Sequence, residues 1–226
     1  MATILKLENI RYGYNDGGNR REILKGINYD FEAGQFYTIL GPSGSGKTTL
    51  LSILAGLDNP DEGKVYYEGE DIQKIGLENY RRDKIGIVFQ QFNLINYLTP
   101  RENLKIVMSE THNKLPKEHD QLIYALLERF GIVKSKADRL VSKLSGGEQQ
   151  RVAIARAIIG NVDLIFADEP TGNLDTETEK EIIKIFKSLT SDFNKTVIVV
   201  THSDYVAEFS DKQIRLSGGL LQDIKG

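Results

Sequence analysis

Residues 37–48 read Tyr-Thr-Ile-Leu-Gly-Pro-Ser-Gly-Ser-Gly-Lys-Thr. The first four are apolar or β-branched and read as the end of a strand, whereas Leu50, Leu51 and Leu54 just beyond have helical spacing. Between them, Gly41 to Thr48 matches the phosphate-binding pattern G-x-x-x-x-G-K-[ST] in the strand-turn-helix context that it requires. Gly41, Gly44 and Gly46 let the loop curl so that backbone N–H groups point inward at phosphate oxygens, and the helix N-terminus adds its partial positive charge. Ser43, Ser45 and Thr49 lie within or beside the same cradle. Lys47 is expected to reach the β- and γ-phosphates and the Thr48 hydroxyl to ligate Mg²⁺.

A strand that presents a phosphate loop at its carboxyl end needs parallel neighbours. Short apolar runs at Ile85 to Phe89, Leu164 to Ala167 and Thr196 to Val200 read as strands buried on both faces of a parallel sheet. Helical periods lie between them, as in Ile182, Ile183, Phe186 and Leu189. The alternation predicts an α/β P-loop core. Alternating stretches at Ile4 to Ile10, Ile27 to Phe31 and Lys64 to Glu68 predict a smaller antiparallel β subdomain. From about residue 100 to 143 the pattern turns to polar helix, with Leu122, Leu126 and Phe130 at helical spacing and a break from Asn113 to Pro116. We read this as a helical lobe inserted into a single unit over residues 1–226.

The run Leu164-Ile-Phe-Ala-Asp168-Glu169 ends an apolar strand in two carboxylates. Alone, Asp-Glu before Pro170 is a solvated strand end entering a turn. Beside a P-loop the carboxyl ends of the strands form the site, and neighbouring residues of a strand face opposite ways. Asp168 is then placed to hold Mg²⁺, and Glu169 to orient and deprotonate the water attacking the γ-phosphate. His202, closing the run TVIVVTH, is a candidate to touch the γ-phosphate and hold Glu169 in line.

Composition narrows the partners. The 226 residues are 40% hydrophobic and 27% charged, which allows a sizeable core. A net charge of −3 and no Lys/Arg block argue against nucleic acid as a partner. The absence of cysteine removes disulfides, thiolate metal sites and a thiol nucleophile. Lys6 and Glu8 interrupt the only apolar stretch near the N-terminus, so a signal peptide is not expected, and no run is long enough to span a bilayer. The chain is expected in the cytoplasm, with any membrane role exercised through a partner.

At Leu144-Ser-Gly-Gly-Glu-Gln-Gln-Arg151 a second glycine turn enters a helical stretch, giving another helix N-terminus suited to an anion. Taken together and in this order, GPSGSGKT, LSGGEQQR and LIFADEPTGNLD resemble the ATP-binding subunits of ABC transporters, over essentially the whole chain. The resemblance implies ATP as the nucleotide and an isologous pair of chains that sandwiches two ATP molecules. It implies that Ser145, Gly147 and Glu148 of the signature motif complete the opposite chain's site. It further implies that Tyr14 stacks on adenine, with Tyr12 a rival at less favourable spacing. Gln90 corresponds to the glutamine that contacts Mg²⁺ and the water, and Asn173-Leu174-Asp175 resembles the loop that crosses between subunits. Glu148 departs from the family's glutamine, and its charge near phosphates is expected to turn it away from them.

Phe92 to Pro100 is apolar yet follows a strand end, and is read either as packing into the helical lobe or as a socket for a partner helix. In the family this region receives a helix of integral membrane permease subunits. The wording AGLDNPDEG, VFQQFNLINYLT, RENL and DEPTGNLD is most similar to the lipoprotein-releasing, macrolide-export, cell-division and peptide-antibiotic export branch. The resemblance thus implies an ATPase subunit peripheral on the inner face of the membrane, driving export or mechanical movement. A soluble ATP-gated regulatory clamp is the alternative.

Overall fold

The computed structural model describes residues 2–17 and 19–225. In chain order, β1 (Thr3–Asp16) and β2 (Asn19–Glu32) form a long hairpin, followed by β3 (Phe36–Leu40), α1 (Lys47–Leu54), β4 (Glu62–Tyr67) and β5 (Glu70–Asp71). Two short helices, α2 (Ile72–Ile75) and α3 (Leu77–Asp83), lead into β6 (Ile85–Val88). The lobe then adds α4 (Pro100–Glu110), α5 (His119–Arg129), α6 (Lys134–Ala137) and a 3₁₀ turn at Val141–Lys143. The chain returns through α7 (Gly146–Ile158), β7 (Leu164–Asp168), α8 (Thr176–Ser191), β8 (Thr196–Thr201), α9 (Asp204–Glu208), β9 (Lys212–Ser217) and β10 (Leu220–Lys225).

Two sheets result, a four-stranded one in the order β2-β1-β4-β5 and a six-stranded one in the order β10-β9-β3-β8-β7-β6. The first is antiparallel. In the second, β6, β7, β8, β3 and β9 run parallel, and β10 pairs antiparallel with β9. The expected α/β core with an antiparallel β subdomain and added helices is therefore the observed one. β3 and β8 are buried at every position, which is why their sequences lack the alternation of a one-sided strand.

The central sheet separates two apolar cores. Phe36, Val88, Ile165, Ala167, Val197 and Val199 join the helices of the lobe together with α7 and α8. Ile39, Phe166, Ile198 and Val200 pack instead with α1 and the antiparallel sheet. Register aligns the strand ends: Leu40 lies opposite Thr201, Val200 opposite Asp168, and Ala167 opposite Val88. One edge of the sheet thus delivers the P-loop after β3, Gln90 after β6, the two acids at β7 and His202 after β8.

Three features exceed the sequence expectation. The first hairpin continues beyond Ile10 to Asp16, the short helices α2 and α3 precede β6, and β9–β10 form a C-terminal hairpin.

Candidate active site

The P-loop closes on itself before α1 begins, with Ser45 N–H donating to the Pro42 carbonyl at 3.1 Å. Gly46 caps the helix in the left-handed region at φ 98°, and a Cβ there would lie 2.6 Å from Ile23 Cγ2. Pro42, Ser43 and Gly44 are exposed, so the cradle opens to solvent. The Lys47 side chain is buried and donates to the carbonyls of Gly41 at 2.7 Å and Pro42 at 3.2 Å, with a Glu169 carboxylate oxygen at 4.0 Å. Its ammonium lies beneath the loop that it serves.

Thr48 Oγ1 donates to Asp168 Oδ1 at 3.2 Å, which joins two of the three expected metal ligands across the sheet edge. Burial pushes the Asp168 carboxyl up from the ordinary range, while the Thr48 hydrogen bond and the Lys47 charge oppose the shift. Glu169 leaves the strand with φ 43°, a left-handed conformation that costs a non-glycine residue about 1 kcal/mol or more. Its Oε2 accepts from Thr201 Oγ1 at 3.0 Å and from His202 N–H at 3.4 Å, and lies 3.0 Å from His202 Nδ1. The two acids therefore have separate partners. His202 is 66% exposed at the side chain against 17% for Glu169, so the imidazole borders solvent while the carboxylate is held within.

Neighbouring side chains fix the turn that follows Glu169. Gln150, fully buried on α7, donates to the Pro170 carbonyl at 2.7 Å. Glu179 Oε1 accepts from Thr171 Oγ1 at 3.0 Å and Ser203 Oγ at 3.3 Å. Sequence reasoning missed Thr201, Gln150 and Glu179. Only Thr201 had a signal, as the hydroxyl closing the strand ahead of His202.

Gln90 is turned toward the loop before α8. Its Nε2 donates to Asn173 Oδ1 at 3.2 Å, and Asn173 Nδ2 donates back to the Gln90 carbonyl at 3.4 Å. Tyr14 is 50% exposed, and its hydroxyl lies 3.0 Å from Thr49 Oγ1 at the foot of the P-loop. Tyr12 meets the Tyr14 ring edge-on, and its hydroxyl donates to Asp58 at 2.7 Å. Both rings are thus tethered through their hydroxyls, and Tyr14 is the more exposed of the two.

The second glycine turn lies apart from this cluster. Ser145 is the exposed N-cap of α7, and a capping box closes on it. Glu148 N–H donates to Ser145 Oγ at 3.3 Å, and Glu148 Oε2 accepts from Ser145 N–H at 2.9 Å. Glu148 Oε1 is paired with Lys136 of α6. Burial raises the Glu148 pKa, but the Lys136 and Ser145 hydrogen bonds outweigh it and hold the carboxyl below its ordinary value. Gly147 is required by packing, since a Cβ there would sit 2.3 Å from Thr178 Cγ2 of α8. None of these hydrogen bonds reaches the P-loop, so the chain carries two anion-ready surfaces.

A P-loop cradle, a strand-end acid pair and an imidazole define a P-loop nucleoside triphosphatase, and the separate capped helix end adds a second anion-ready surface. The family profile described as ABC transporter matches residues 24–172. YclH of Bacillus subtilis, an uncharacterized ABC transporter ATP-binding protein, is 44% identical over 217 residues, covering 96% of this chain and 95% of that protein. The macrolide export ATP-binding/permease protein MacB of Bdellovibrio bacteriovorus is 40% identical over 97% of this chain, which spans 33% of that protein. A dimeric structure of MJ0796, an ABC transporter cassette of Methanocaldococcus jannaschii, superposes with a TM-score of 0.87 at 39% identity, covering 99% of this chain and 100% of that one. A post-hydrolysis dimer of MJ0796 bound to ADP and Pi also superposes with a TM-score of 0.87.

The chain belongs to the ABC transporter family as an ATP-binding, ATP-hydrolysing subunit, in the branch that includes MacB-type export ATPases.

Proposed function

We propose that this chain works as one half of a homodimer that closes on two ATP molecules and drives integral membrane permease subunits of export or mechanotransmission type. Its cargo class is peptide, lipoprotein or drug-like. One observation carries the reading: the P-loop face and the Ser145 face both open to solvent on a single chain, and each lies at a helix N-terminus suited to an anion. A twofold axis supplies each half with its complement. MacB by its name unites ATP-binding and permease functions, and MJ0796 is dimeric. The transporter names of the relatives count against the regulatory clamp.

The residues then take distinct roles. Tyr14 offers its half-exposed ring to adenine, and the P-loop amides with Lys47 bind the β- and γ-phosphates. The Thr48 hydroxyl and Asp168 carboxylate are hard oxygen donors placed together, so they suit Mg²⁺, which when bound neutralises phosphate charge. Glu169 accepts a proton from the attacking water, with Thr201 and His202 holding the carboxylate in place. Gln90 is a further candidate ligand from the β6 side, and its bond to Asn173 links it to the loop that faces the partner chain.

The segment after Gln90 divides between the two readings of its sequence. Leu94 is buried in the lobe's core, whereas Tyr97 is 79% exposed. Arg156 of α7 donates to the carbonyls of Asn93 at 2.6 Å and Phe92 at 3.2 Å and ties the loop to that helix. Among the described residues no helix is long and apolar enough to cross a membrane. Attachment to the inner face of the membrane then runs through Tyr97 and its neighbours. Changing Tyr97→Asp is expected to reduce recovery of the chain in the membrane fraction by about tenfold, as for an aromatic anchor, with the ATPase rate of the purified chain kept within about twofold. Membrane recovery equal to that of the parent would remove this attachment surface.

A further inference from the structure

Glu148 places a carboxylate in the first turn of the helix whose N-terminus must receive the partner chain's γ-phosphate. An unbalanced negative charge there repels a polyanion through a partly desolvated interface. The structure places a counter-charge from another element. Lys136, on the four-residue helix α6, pairs with Glu148 Oε1, while Glu148 Oε2 is occupied by Ser145 N–H. The Glu148 side chain is 12% exposed and that of Lys136 40%, so the carboxylate is enclosed and the ammonium stands between it and solvent.

The capping box also fixes the Ser145 hydroxyl, whose oxygen accepts from Glu148 N–H at 3.3 Å on an exposed residue. The amides of Gly146 and Gly147 belong to the unsatisfied first turn of α7. Turning Glu148 outward would place its charge among these donors.

We propose that Lys136 is a positioning residue of the shared ATP site: it neutralises Glu148 and keeps that carboxylate folded back on Ser145, so that the turn presents donors alone to the partner's γ-phosphate. This inference rests on the two-chain reading above. It makes Glu148 a cap and assigns the electrostatic work to a residue outside every recognised motif.

The test uses the full chain carrying Glu169→Gln, so that bound ATP persists, and reads by light scattering the ATP concentration that gives half-maximal dimer. Lys136→Met is expected to raise that concentration about tenfold by exposing one charge at the interface. Lys136→Arg, which keeps the charge, is expected to stay within about twofold of the parent. Adding Glu148→Gln to Lys136→Met is expected to restore the parent value, because an amide still accepts in the capping box. A purely structural staple between α6 and α7 predicts no such rescue, since the double change removes the pair altogether. An unchanged midpoint in Lys136→Met, or a double variant as weak as Lys136→Met, overturns the proposal. Urea midpoints of all variants accompany the measurement, and a loss of dimer that tracks a loss of folding also counts against it. Failure of the Glu169→Gln parent itself to dimerise with ATP would remove the shared site and this inference with it, which distinguishes the two failures.

Discussion

Glu169 combines a strained backbone with a positioned side chain. It must leave a buried strand at φ 43° and still aim its carboxylate at a fixed point. Glu179 joins the two segments that decide where that carboxylate points, the turn at Thr171 and the loop at Ser203. Changing Glu179→Ala is expected to lower kcat about tenfold while KM for ATP stays within about twofold, because misplacement of a reacting group costs rate more than binding. Glu179→Gln still accepts from both hydroxyls and is expected to recover most of the rate. Phosphate-release kinetics check this, and a shift confined to KM would contradict it. Lys47, Thr48, Asp168, Glu169 and His202 were legible because each lies in or ends a short run whose residue types match phosphate chemistry. Glu179 was not, since a single glutamate on an amphipathic helix reads as a solvated face until distant hydroxyls are placed beside it.

Among the elements, the helical lobe is fastened to the core where α3 meets the end of α4. The Asp83 carboxylate accepts from Arg82 at 2.7 Å, from His112 N–H at 2.8 Å and from Thr111 Oγ1 at 3.3 Å. Asn113 Nδ2 donates to the carbonyls of Asp83 at 2.7 Å and Gly160 at 2.9 Å. The Arg82 hydrogen bond, followed by the His112 N–H and the nearby positive charge, lowers the Asp83 pKa to about 2 against the opposing effect of burial. A depressed carboxyl pKa contributes stability that is present above the unfolded value near 4 and disappears as pH falls toward about 2. Asp83→Asn is expected to destabilise the chain by about 1 to 2 kcal/mol at pH 7, after discounting for solvent screening. In urea titrations the gap to the parent should narrow as pH drops from about 4 to about 2. A gap constant with pH would contradict the assignment. The break at Asn113 to Pro116 was readable as a helix end, but its role as a fastener was not, because its partners lie about thirty or more residues away.

The same contrast applies to whole strands. β3, β6, β7 and β8 were legible because strands buried on both faces are written as continuous apolar runs. The outer parts of β1 and β2 were not, since they are held by ladder pairing and by ion pairs such as Arg11 with Glu22, which leave no apolar alternation. The C-terminal hairpin was likewise missed: β9 alternates buried Ile214 and Leu216 with polar neighbours only over a short span.

At the scale of the molecule, the chain carries two separate anion-ready surfaces, the P-loop edge of the sheet and the N-terminus of α7. The sheet edge collects the P-loop, Gln90, Asp168, Glu169 and His202, while α7 presents Ser145 on a turn whose hydrogen bonds run to Glu148 and Lys136. In the proposed homodimer each surface completes the other chain's site, and ATP joins them. Binding then closes the pair, and loss of the γ-phosphate removes the contacts that held it. The exposed Tyr97 precedes the lobe whose α6 supplies Lys136 to the Ser145 turn, so in the proposed complex the lobe links the partner-facing turn to the membrane-facing loop.

The most direct test of this account is complementation between two inactive chains. Ser145→Arg leaves the P-loop intact but blocks the donor face, and Lys47→Ala leaves the donor face intact but disables the P-loop. Each alone is expected to lack ATPase activity. Mixed in equal amounts, they are expected to recover about a quarter of the parent rate, since random pairing gives half mixed dimers with one complete site in each. Equal mixing that restores no activity, or a Ser145→Arg chain that hydrolyses ATP normally by itself, would contradict a site shared between two chains.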